Sequence, residues 1–136
     1  MLESCHELET DGFKATYLDV DEDGLINLEE LENLLKQKTA LVSIMHANNE
    51  IGVLQPIKEI GELCKKYNSI FHSDVAQSIG TQTIDVSDMN IDALSISAHK
   101  IYGPKGIGAL FISNSIKNTL RPLMSGGGQE LGLRRG

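Results

Sequence analysis

Lys100 closes the tetrapeptide "SAHK", directly after the apolar-rich run "ALSIS" (93–97). A lysine amine held in a partly desolvated pocket sheds its proton readily and can form a Schiff base with a carbonyl compound. Alone, the same residue reads as a solvated loop lysine, the default for most lysines. Asp74, in "HSDVAQS", ends another run of strand-forming residues, "SIFHSD" (69–74). Burying an unpaired carboxylate is costly, so an aspartate there needs a partner. That partner is either the backbone of a following helix or a cationic group of a ligand. Gln77 follows Asp74 by one helical turn, if a helix begins there. Ser97 and His99 flank Lys100 and could donate hydrogen bonds to a phosphate.

These residues need a frame that brings distant segments together. Leu2, Cys5 and Leu8 predict a short N-terminal helix, with Gly12 suited to follow its end. "FKATYL" (13–18) reads as a strand. Leu28, Leu31, Leu34 and Leu35 mark a helix, which Asn27 and Glu30 introduce at the spacing of a capping box. "ALVSIM" (40–45) predicts a strand. Pro56 stands at the start of a helix whose apolar positions are Ile57, Ile60, Leu63, Cys64 and Tyr67. Strands follow at 69–74, 93–97 and 106–113, and a short helix is expected at 114–121.

Strands alternating with helices or long crossovers predict an α/β domain built on a mostly parallel sheet. In such sheets ligands gather beyond the carboxyl ends of the strands. Three predicted strand ends carry polar residues: His46, Asn48 and Asn49; Asp74 and Gln77; Ser97, His99 and Lys100. His46 and His72 are read as structural. A lysine for the Schiff base and an aspartate for the protonated pyridine nitrogen are the pair that pyridoxal phosphate requires.

The 136 residues carry a formal charge of −7, which argues against a broad nucleic-acid surface. "HKIYGPKG" is a local basic patch against that background, suited to a small anion. No apolar run approaches a membrane span, and the start lacks the pattern of a secretory signal. Cys5 and Cys64 form no CxxC or disulfide framework, which fits a reducing, cytoplasmic or organellar compartment. Each reads as a structural cysteine. "GPKG" lacks the ending of a phosphate-binding P-loop.

One further motif competes for attention. Residues 19–30, "DVDEDGLINLEE", place Asp19, Asp21, Asp23, Asn27 and Glu30 at the ligand positions of an EF-hand loop, with Gly24 at the sixth. An EF-hand needs a helix entering the loop, whereas strand formers precede this one. The acidic residues are therefore read as a solvated turn leading to a capped helix, with no metal ligands assigned.

"SIMHANNEIGVLQPI", "FHSDVAQSIG", "SISAHKIYGPKGIGALFI" and "GGGQE" together resemble the signature segments of cysteine desulfurases, in order and over essentially the whole chain. These are pyridoxal-phosphate enzymes of the class V aminotransferase group. The resemblance implies the three-layer large domain of the fold type I transferases. It implies that Lys100 forms the internal aldimine and shuttles protons, that Asp74 pairs with the pyridinium, and that Gln77 meets the phenolic oxygen. Ser97 and His99 would be phosphate ligands, and Asn49 would lie on the cofactor and substrate side. The implied reaction takes sulfur from L-cysteine, leaves L-alanine, and passes a persulfide to an acceptor or scaffold protein, for iron–sulfur cluster assembly or another pathway. A homodimer is implied as well.

On the same resemblance, the persulfide cysteine, a ring-stacking histidine, a phosphate-binding threonine and the small C-terminal domain are expected outside residues 1–136. The chain then corresponds to a partial large domain, incomplete at both ends, and is expected to lack full turnover alone. Arg134 and Arg135 do not match the substrate-carboxylate arginine. Selenocysteine lyase shares the cofactor logic and is a second reading. A calcium-binding or non-catalytic scaffold module is a reading of a different class.

Overall fold

The computed structural model describes residues 2–121; "GGGQE", Arg134 and Arg135 lie outside them. Four strands form one sheet in the order β1 (Leu41–Met45), β2 (Ile70–Asp74), β3 (Ala93–Ser97) and β4 (Gly108–Ile112). The first three are parallel and β4 is antiparallel to β3. Helices α1 (Leu2–Thr10), α2 (Leu28–Leu35) and α3 (Ile57–Lys66) complete the regular elements among the described residues, with a short 3₁₀ turn at Ala98–Ile101. The mostly parallel α/β frame expected from the sequence is therefore present.

Alternation along the strands creates two different faces. Val42, Phe71, Ser73 and Leu94 point to one side and are buried. Leu31 and Leu35 of α2, with Ile57, Ile60 and Cys64 of α3, close over that side to make the core. The spacing of these residues puts them on single helix faces, which is why both helices were legible. Asn27 caps α2 by accepting from the Glu29 and Glu30 amides at 2.8 and 3.1 Å. Helix α3 begins after Pro56 and ends with Lys65 and Lys66 in its last turn, favourable to its dipole. The other side of the sheet carries Ser43, Met45, His72, Asp74, Ser95 and Ser97.

Two expected elements do not form. Residues 13–18 form no regular element, with Phe13 and Tyr17 exposed, because no strand among the described residues pairs with them to accept their backbone bonds. Residues 114–119 are successive turns; Ser113 and Ser115 hydrogen-bond Asp92, and those side-chain bonds compete with a helix.

The acidic segment 19–30 closes on itself. Asp21 Oδ1 accepts from the Asp23 and Leu25 amides, and Val20 bridges Ile26. Gly24 takes φ +80°, a left-handed conformation open to glycine. Gln55, buried and 31 residues along the chain, donates to Gly24 O at 2.7 Å and accepts from Ile26 N at 3.1 Å. No helix enters the loop. Among the described residues no cluster of three His, Cys, Asp or Glu is placed to hold a metal ion.

Candidate functional site

Because β1, β2 and β3 are parallel, their carboxyl ends open on one edge of the sheet. Backbone bonds across that edge join them: His46 N donates to Asp74 O at 2.9 Å, and Val75 N to Ser95 O at 3.1 Å. The antiparallel β4 returns to the same edge, with Gly108 paired to Ser97. Sequence positions 46, 74 and 97 are thus brought together by the fold.

Asp74 ends β2. One carboxylate oxygen, Oδ1, accepts from Ala76 N at 2.9 Å and starts the turns at 76–80. No helix forms there, so the expected helical turn between Asp74 and Gln77 is a tight turn instead. Asp74 therefore caps the backbone through one oxygen, and Oδ2 has no hydrogen-bond partner among the described residues. Gln77 follows, half-buried, with its amide likewise unpartnered there.

The Lys100 turn is pinned from both sides. Ala98 N donates to Ile107 O at 3.0 Å, and Gly103 N to Ala98 O at 2.9 Å. Tyr102 adopts φ +63° to close the turn. A side chain at Gly103 would press on Ala98, so the turn depends on glycine there. Ser97 Oγ lies 2.9 Å from His99 Nδ1, which couples the two expected phosphate ligands directly. Lys100 is exposed and unpartnered among the described residues. The partly desolvated pocket expected around it is not built by those residues.

Asn49 lies in the excursion between β1 and α3. Asn48 shapes that excursion by accepting from the Glu50 and Ile51 amides, while the Asn49 amide is turned to Glu50. His46 is buried, with Nδ1 2.9 Å from Ser78 Oγ. His72 reaches Ser43 Oγ at 2.7 Å through Nδ1 and Ser95 Oγ at 3.2 Å through Nε2. Sequence reasoning missed the two serines, since only strand register shows that they flank one ring.

Burial holds both His46 and His72 below the usual imidazole range; Asp74 opposes the shift at His72. An unfolded imidazole titrates near about 6.5, so the unfolded chain binds more protons below that pH. Stability is complete above about pH 6.5 and falls as the pH drops toward the lower folded-state values. The urea midpoint should therefore fall between pH 7.5 and 5.5. An unchanged midpoint would show that neither imidazole is held neutral.

Cys64 is buried and its thiol is pushed up to about 12, chiefly by desolvation and then by Asp92. It is a core residue, unfit to attack sulfur as a thiolate. Cys5, on α1, is partly exposed.

Comparison with known proteins places this geometry. The model of the family "Aminotransferase class-V" matches residues 1–133. The mitochondrial cysteine desulfurase of Eremothecium gossypii is 56% identical over all 136 residues, which span 28% of that relative. "Cysteine desulfurase IscS" of Clostridium botulinum is 57% identical over 98% of the chain and 33% of the relative. Among solved structures, "SspA in complex with cysteine" superposes with a TM-score of 0.94 at 50% identity, over 99% of this chain and 39% of that one. The chain thus spans about a third of the length of the relatives it matches. From the family match over nearly its whole length, and from the sheet edge that the fold assembles, the chain belongs to the class-V aminotransferase family.

Proposed function

We propose that the chain is part of the large, cofactor-binding domain of a cysteine desulfurase, a protein that takes sulfur from L-cysteine, leaves L-alanine and hands the sulfur to an acceptor protein. The observation that carries this reading is the edge itself. Among the described residues, Asp74 Oδ2, the Gln77 amide and the Lys100 amine lie unspent on it, beside the coupled Ser97 and His99.

That donor set fits pyridoxal phosphate in chemistry. Asp74 would hold the ring nitrogen through the oxygen that Ala76 leaves free. Ser97 and His99 would hold the phosphate as one hydrogen-bonded unit. Gln77 would meet the phenolic oxygen, and Asn49 would line the substrate side. Lys100 would bind the cofactor through Nζ, and the same atom would take and return the proton of the amino-acid α-carbon. When bound, the cofactor supplies an electron-accepting ring that stabilises negative charge at that carbon. The protein is proposed to act as a homodimer in a reducing compartment, the latter in keeping with two free cysteines.

The test is an assay of the full-length protein with pyridoxal phosphate, L-cysteine and a thiol reductant. Equal amounts of alanine and sulfide are expected. A protein that binds the cofactor yet releases no alanine would reject the reading.

A further inference from the structure

Ser43, His72 and Ser95 stand on three adjacent parallel strands, on the face that α2 and α3 leave uncovered. The imidazole of His72 bridges them, at 2.7 Å to Ser43 and 3.2 Å to Ser95. Each of the three lies two residues before the end of its strand. Two residues is one repeat of the side-chain alternation. Two residues further along its own strand, each therefore has Met45, Asp74 or Ser97 on the same face, and two of those are proposed cofactor ligands. Asp74 is also the register partner of Ser95.

We propose that His72 is a positioning residue for the cofactor: with Ser43 and Ser95 it forms a brace across β1, β2 and β3 that fixes Asp74 and Ser97 relative to one another. This rests on the proposed pyridoxal-phosphate site. A neutral imidazole has one donor and one acceptor nitrogen, so it can satisfy two hydroxyls at once, one accepting and one donating. Held in that state between two serines, the ring makes no cation beside Asp74 and leaves its carboxylate for the ligand. Supporting contacts of this kind matter because a productive site tolerates only about half an ångström of misplacement.

The experiment compares the full-length protein with His72→Phe, Ser43→Ala, Ser95→Ala and Asp74→Asn. Pyridoxal phosphate affinity is titrated by visible absorption, the spectrum is recorded again at saturation, and the thermal midpoint of each apoprotein is measured. Cofactor affinity is expected to drop about tenfold in His72→Phe and by a smaller factor in each serine variant. At saturation, the His72→Phe band should shift in the same direction as that of Asp74→Asn, because the brace acts through that carboxylate. A merely structural role would lower the thermal midpoint and leave the saturated band unmoved; that result overturns the inference. If His72→Phe fails to fold, the two serine variants decide by the same criteria. Wild-type protein that takes up no pyridoxal phosphate would overturn the proposed site, and the brace with it. Binding by the wild type, weakening by Asp74→Asn and normal behaviour of the brace variants would sink this inference alone.

Discussion

Replacing Lys100 with alanine is expected to abolish covalent retention of pyridoxal phosphate. It should also cut alanine formation from L-cysteine in the full-length protein by about a thousandfold or more. Proton transfer by a positioned side chain is worth roughly 10²–10⁴ in rate, and loss of the covalent anchor adds to that. The structure makes this a clean experiment. Lys100 is exposed and unpartnered among the described residues, and its turn is held by backbone bonds from Ala98 and Gly103. Truncating the side chain removes no packing, so stability should stay within about 0.5 kcal/mol of wild type. Lys105, five residues on and also exposed, is the natural control. Alanine there should leave most of the activity. Comparable losses in both variants would show that positive charge alone, not the Lys100 amine, is what the site uses.

Gly61→Ala is expected to have the largest effect on the fold. In most helices this change is favourable by about 1 kcal/mol, because alanine is the better helix former. Gly61 is buried in α3, and a Cβ there would collide with the main-chain carbonyl of Met89 and touch the Phe71 ring. The turn that presents that carbonyl cannot easily yield. Asp85 caps it through the Ser87 and Asp88 amides, Lys58 pairs with Asp88 at 2.8 Å, and Lys65 bonds Asn90 at 2.8 Å. Relief would lift α3 from the sheet and expose Ile57, Ile60 and Cys64. A loss of about 3 kcal/mol or more is expected, read as a lowered urea midpoint or as insoluble protein. A variant as stable as wild type would mean that α3 and the 85–91 turn do not pack in this way.

How much of this was readable from sequence depends on the range of the interaction. Helices α2 and α3 were legible because an apolar stripe and a local start signal mark each: Leu31 and Leu35 after the Asn27 cap, and Ile57, Ile60 and Cys64 after Pro56. The four strands were legible as short apolar runs between turn residues. The segment 13–18 has the same composition as a strand and forms none, since a strand is completed by a neighbour that propensity does not report. Lys100 and Asp74 stood out because their chemistry is specific, and the parallel topology brought their strand ends to one edge. The brace of Ser43, His72 and Ser95 was not legible, since it exists only once register is known.

The acidic segment 19–30 shows the opposite case. A complete local pattern resembles a metal loop, yet Asp21 spends Oδ1 on the loop's own amides. Gln55, far along the chain, fastens the loop to the excursion that carries Asn49. The physical role of that segment was set by a residue outside the motif.

Lys100 is proposed here as the amine that holds the cofactor. Borohydride reduction of the full-length protein loaded with pyridoxal phosphate, followed by proteolysis and peptide mapping, addresses it directly. A single reduced pyridoxyl adduct is expected on the peptide containing Lys100, absent from Lys100→Ala. An adduct on Lys105, Lys117 or another lysine, or one that persists in Lys100→Ala at wild-type yield, would contradict it.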